Sequence, residues 1–136
     1  MSYQESQERI TSAEAASRTG ALDKARVFYR EAAELQRAFV NSQPPERIRT
    51  RSVYGLSTAT LFFKAGDLDE AEQLAKGLLA EPWIEPGSAS KLHLLLKLIA
   101  DERVAGAPGV VRQRLKMLGV FELHPPRRPM FHDARP

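Results

Sequence analysis

Six residues of this chain occur twice in nearly the same order. Gly20-Ala21-Leu22-Asp23-Lys24-Ala25 returns 46 positions later as Gly66-Asp67-Leu68-Asp69-Glu70-Ala71. Each conserved position has a physical use at a reversal between two helices. The glycine admits the left-handed backbone that ends a helix. The aspartate falls in the first turn of the next helix, at the positive end of its dipole. The alanine a turn later is small enough to let the two helices close up. The flanks agree as well: Ala13 with Ala59, Arg18 with Lys64, Arg30 with Lys76 and Ala33 with Leu79. A chain with this turn in two places is constrained to at least two helical hairpins of similar build.

Helical spacing runs through the rest of the sequence. From Gln4 to Thr19, Ile10, Ala13 and Ala16/Ser17 share a face. Leu22, Ala25, Phe28/Tyr29, Ala32, Leu35 and Phe39 recur at intervals of three and four and predict a second helix. Asn41-Ser42-Gln43-Pro44-Pro45 reads as a stop and a start, with Ser42 as N-cap and a proline in the first helical turn. Ile48, Ser52, Leu56, Ala59 and Phe63 form a third stripe, ending at Gly66. Leu68, Ala71, Leu74/Ala75 and Leu78 form a fourth, stopped by Pro82. Glu85-Pro86-Gly87-Ser88 reads as a turn. Leu92, Leu95/Leu96 and Ile99 mark a leucine-rich fifth helix, and Val111, Leu115 and Leu118 a short sixth after the break at Ala105–Gly109. No segment alternates with a two-residue period, so no strand is expected. The expectation is an all-α domain over 1–119, about six helices in antiparallel hairpins at 4–41, 44–82 and 88–118. A proline-rich, basic, extended tail follows over 120–136.

Composition narrows the chemistry. At 136 residues the chain has the length of one domain. It has no cysteine, which excludes disulfides, thiolate metal sites and thiol nucleophiles. The opening residues are polar and acidic, unlike a secretory signal. The most apolar stretch, Leu92 to Ala100, is short and interrupted by His93 and Lys97. A soluble, cytoplasmic protein is expected. The net charge of +3 arises from blocks of opposite sign: −1 over 1–35, +4 over 36–64, −5 over 65–87, +4 over 88–118 and +1 over 119–136. Alternating blocks suit neighbouring elements that complement each other, whereas a nucleic-acid binder concentrates its excess on one face.

Catalytic patterns are missing. There is no phosphate-binding glycine loop, no Gly-x-Ser-x-Gly elbow and no His-Glu-x-x-His. Asp67, Asp69 and Glu70 sit too close together to flank a substrate as acid and base. His93, Lys97 and Asp101 make one polar stripe, read as a solvated face. His124, His132 and Asp133 lack the spacing of a metal site. No enzyme activity and no cofactor is therefore expected. Arg47, Arg49 and Arg51 surround Ile48 and suit either phosphate contacts or ion pairs within the fold, the latter favoured by Glu46 and the acidic block that follows.

The run from Gly66 to Ala71 resembles the inter-helix turn of the tetratricopeptide repeat. The resemblance extends to Phe62, to the small residues Ala13 and Ala59, to Tyr29 and Ala32, and to Pro82, and it covers residues 6–82. The pair at 88–118 fits by architecture. Two features depart from the family: the turns lie 46 residues apart where the family repeat is about 34, and Arg9 and Gly55 stand where a large side chain is usual. The resemblance implies an irregular, short superhelix with Gly20, Leu22, Ala25, Gly66, Leu68 and Ala71 as turn residues. It also implies a concave face, lined by the first helix of each pair, that holds a partner peptide or helix. Carried over by position, that face takes Gln7, Ile10, Thr11, Glu14, Ser17 and Arg18, then Val53, Leu56, Ser57, Thr60, Phe63 and Lys64. From the third pair it takes His93, Lys97 and Arg103.

The repeated cation at Arg18 and Lys64, with Lys97 beyond, implies an acidic partner. The alternative is that these cations serve the helix C-termini they stand near. Thr11 and Ser57 replace the asparagine with which some family members clamp two carboxylates, so that clamp is not expected. The function expected is a protein–protein interaction module, an adaptor or accessory protein. Two others stay open: a nucleic-acid-associated helical protein using Arg47, Arg49 and Arg51, and a homo-oligomerising module. The latter would use the leucine-rich helix or the tail, whose Phe121, Met130 and Phe131 suit anchoring in cis or onto a second copy, while Pro125-Pro126-Arg127-Arg128-Pro129 suits docking on another protein.

Overall fold

The computed structural model describes residues 2–105. The expected sixth helix, the tail at 120–136 and its histidines lie outside them. Five helices follow one another: α1 (Ser2–Arg18), α2 (Leu22–Asn41), α3 (Ile48–Lys64), α4 (Leu68–Leu79) and α5 (Pro86–Ala105). Among the described residues there is no strand. Each helix packs on the next in sequence, and α3 also meets α5. This makes α3 the shared strut.

The two duplicated turns have the same backbone. At the end of α1, Gly20 takes φ +82°, Ala21 N donates to Ala16 O at 2.9 Å and Gly20 N to Ser17 O at 3.1 Å. At the end of α3, Gly66 takes φ +84°, Asp67 N donates to Phe62 O at 2.9 Å and Gly66 N to Phe63 O at 3.0 Å. Both are Schellman closures, in which a left-handed glycine turns the chain so that the last carbonyls find donors. The next helix then begins from Ala21 (φ −82°, ψ 71°) in one case and Asp67 (φ −87°, ψ 73°) in the other. Ala25 and Ala71, a turn into those helices, are both buried.

Other boundaries differ from the sequence expectation. Ser42 does not cap α3. It is the C-cap residue of α2, and its Oγ donates to Phe39 O at 2.7 Å. Pro44 and Pro45 are used in the turn itself, where Arg47 N donates to Pro44 O, and α3 begins only at Ile48. Ile48, expected on the buried stripe, is 40% exposed because it opens the helix outside the core. Pro86-Gly87-Ser88, expected as a turn, is the first turn of α5. A proline at N1 lacks only an N–H that would have no helical partner, and its fixed φ suits the helix. The first bond, Ala89 N to Glu85 O at 2.8 Å, closes that turn. Leu22 also lies outside the core, 39% exposed, whereas its counterpart Leu68 packs against it.

The main core is built from close helix approach. Half of its sixteen buried residues are alanine, including Ala13, Ala32, Ala59 and Ala71, with Ile10, Phe62, Phe63, Leu95 and Ile99 as the large members. Truncating a large member such as Phe62 to alanine costs about 3–5 kcal/mol. A smaller aromatic cluster joins α1, α2 and α3: Tyr54 lies 5.4 Å from Tyr3 and 5.1 Å from Phe39 between ring centroids. A third cluster of Ala75, Leu78 and Leu92 joins α4 to α5. At the α3–α4 crossing, a Cβ on Gly55 would come within 2.9 Å of Leu78 Cδ2. The missing side chain at Gly55 therefore admits Leu78.

Candidate partner-binding surfaces

The residues expected to line a concave groove do not share one environment. Arg18, at the end of α1, is exposed, as are His93 and Lys97 on α5. Glu14 is half-buried. Lys64 is half-buried too, its Nζ 5.6 Å from the centre of the Tyr29 ring on α2. Ser57 and Thr60 are withdrawn from any partner, at 7% and 1% exposure. The reason lies in α3, which neighbours α2, α4 and α5 and buries eleven of its seventeen residues. Thr60 turns its hydroxyl back to Leu56 O at 2.9 Å, and Thr58 does the same to Tyr54 O at 2.7 Å. Ile10 and Phe63, also placed on the groove by position, are core residues.

The acidic block has a structural use. Arg30 of α2 grips Asp67 with two hydrogen bonds of 2.7 and 2.9 Å. Arg37 of α2 reaches Glu70 at 3.0 Å, with Glu34 at 3.5 Å, and stacks over Phe62. From the other side, Arg103 of α5 bonds both Asp69 and Glu72, and Lys76 bonds Glu72 at 2.9 Å. The carboxylates of α4 are thus held between cations of α2 and α5, as the alternating charge blocks anticipated. These pairs are largely solvent-screened, so each adds little to stability. Their hydrogen bonds, first from Lys76 and then from Arg103, hold the Glu72 carboxyl below its ordinary value. Among the described residues no three His, Cys, Asp or Glu side chains come together as a metal site requires. No helix among them is long and apolar enough to cross a membrane.

The arginine trio does not form a basic face. Arg47 Nη1 donates to Gln43 Oε1 at 3.1 Å. Arg51 Nη1 donates to Val40 O at 3.3 Å and to Gln43 O at 2.9 Å, and its guanidinium lies 5.6 Å from the Trp83 ring centre. Two of the three are therefore engaged with the end of α2 and the turn after it. They bind carbonyls and an amide where carboxylates were expected. Only Arg49 of the trio is exposed.

Sequence reasoning missed one concave feature. A cleft of about 220 Å³ lies between the second halves of α2 and α4 over the middle of α3, with Trp83 at its edge. Val40, Leu74 and Leu78 give it an apolar surface, and Arg37, Arg51 and Glu81 give it charge. The available signal was a pair of glycines, Gly55 and Gly77, inside helical patterns one element apart. Both border the cleft.

Compared with family models, with curated proteins and with solved structures, the chain matches none.

Proposed function

We propose that the chain is a helical-hairpin interaction module of the tetratricopeptide kind, holding a segment of another protein. The observation that carries this reading is the duplicated turn. Two glycine closures 46 residues apart have the same φ to within a few degrees and the same pair of hydrogen bonds. The alanine-rich seams beside them suit hairpins that stack closely, which is how repeat arrays bury a continuous core. The surface offered to the partner is narrower than position alone implied, because Ser57 and Thr60 are withdrawn. It centres on Arg18, His93 and Lys97, with Glu14 and Lys64 at the margin. Its cations favour an acidic segment.

The test is capture of the partner from the native source, followed by titration of the identified partner against wild type and a double variant, Arg18→Glu with Lys97→Glu. Both side chains are exposed, so helix content and Tm should not change. Affinity should fall about tenfold or more through like-charge repulsion. An unchanged affinity contradicts the reading.

A further inference from the structure

We propose that the cleft between α2, α3 and α4 is a binding site for a small apolar carboxylate, independent of the partner surface above. Four observations meet there. The first is charge. Arg30, Arg37 and Arg103 each have a carboxylate partner, but among the described residues none pairs with Arg51. Its Nη1 is committed to Val40 O and Gln43 O. Among the described residues the rest of its fork has no acceptor, and a planar guanidinium presents its remaining donors in the geometry a carboxylate matches. Glu81, the acidic side chain bordering the cleft, forms no ion pair with it, and Arg37 on the opposite wall already serves Glu70 and Glu34.

The second is the apolar surface beside that cation, supplied by Val40, Leu74 and Leu78 with the Trp83 ring at the edge. The third is size. The cleft's 220 Å³ falls below the roughly 300–1,000 Å³ of pockets that engulf a drug-sized ligand, so it suits a molecule of few atoms.

The fourth is Gly77. This glycine stands inside α4, on the cleft wall, and a Cβ there would meet nothing within 4 Å. Gly55 makes room for Leu78, but no neighbour requires the glycine at 77. It weakens its own helix by about 0.5–1 kcal/mol relative to alanine. What the glycine does provide is open space on the cleft wall.

Trp83 is the only tryptophan in the chain, so its emission reports on this cleft alone. Hexanoate and hexanamide share a chain of about eight non-hydrogen atoms, well inside the small-ligand range, and differ in the charge that Arg51 would meet. Hexanoate should shift Trp83 emission saturably, and hexanamide should bind at least about tenfold more weakly, as loss of a charge-assisted bond requires. Arg51→Gln should bind hexanoate no better than hexanamide. Because Arg51 also holds the end of α2, Gly77→Leu provides the second variant: it should keep full helix content and abolish binding of both. N-acetyl-leucine, titrated beside hexanoate, distinguishes a chain-terminal carboxylate from a free acid by which of the two binds more tightly. The proposal is overturned if hexanoate gives no saturable shift, if acid and amide bind alike, or if Gly77→Leu leaves binding intact. Any of these leaves the partner-capture experiment, which does not involve the cleft, unaffected.

Discussion

Gly20 and Gly66 hold a backbone conformation that costs an L-residue about 1–2 kcal/mol. Nothing lies within 4 Å of a Cβ built on Gly20, and on Gly66 the nearest atom is Arg26 Nε at an ordinary 3.6 Å. Gly20→Ala and Gly66→Ala should therefore each lose about that amount, and by the same margin, in urea unfolding. Clearly unequal losses would show that the two turns are not equivalent. Gly77→Ala should act in the opposite sense and gain about 0.5–1 kcal/mol. These three glycines differ in what the sequence alone could say of them. Gly20 and Gly66 were legible because an Asp and an Ala follow at fixed offsets. Gly77 carries no such context, and its meaning depends on which faces of α2 and α3 meet α4.

Tyr54 carries a pH prediction. Its ring is buried beside Tyr3 and Phe39. Burial first, and its hydrogen bond with Tyr3 second, push the hydroxyl well above the ordinary tyrosine value. In the unfolded chain that hydroxyl titrates near pH 10. A value raised by folding means the stabilising contribution is complete below about pH 10 and is lost as pH rises toward the folded value. Urea midpoints measured from pH 8 to 11.5 should fall above about pH 10 in wild type, and less steeply in Tyr54→Phe, which keeps the ring. Equal slopes would contradict the assignment.

Among the helices, α4 depends most on its neighbours' charges. It is short, and Asp67, Asp69, Glu70 and Glu72 would repel one another without Arg30, Arg37 and Arg103. The charge blocks in the sequence foretold this complementarity but not its pairs, since Arg30 lies outside the basic block that follows it. Glu72 is lowered by its cations, so its contribution is present above the ordinary carboxyl range, near pH 4.3, and is lost as pH falls through the folded value. Wild type should exceed Glu72→Gln in stability at pH 7, and the gap should close in acid. A gap that persists at pH 2 would show that Glu72 acts through packing and not charge.

The helix ends show why periodicity reads interiors better than boundaries. Ile10, Ala13 and Ala16 on α1, or Ala71, Ala75 and Leu78 on α4, are buried as their spacing requires. Ser42 and Pro86 were ambiguous because each residue type serves either a helix end or a turn, and long-range packing decides which. Ser57 and Thr60 are buried for a related reason: short hydroxyl side chains read as surface, yet on a helix with several neighbours they fit the seams, and Thr60 bonds its own backbone at Leu56 O.

Each of the five helices packs on the next and α3 also meets α5; the proposed function reads this arrangement as a stack of hairpins. A stack of repeats opens unit by unit, whereas a bundle around one seam opens as a whole. Native-state hydrogen exchange on the full chain separates the two. The stack predicts graded opening free energies, with the amides of α3 the slowest, α1 and α5 opening more readily, and groups that follow the hairpins. One common opening free energy across all five helices would contradict the repeated-hairpin architecture on which the proposed function rests.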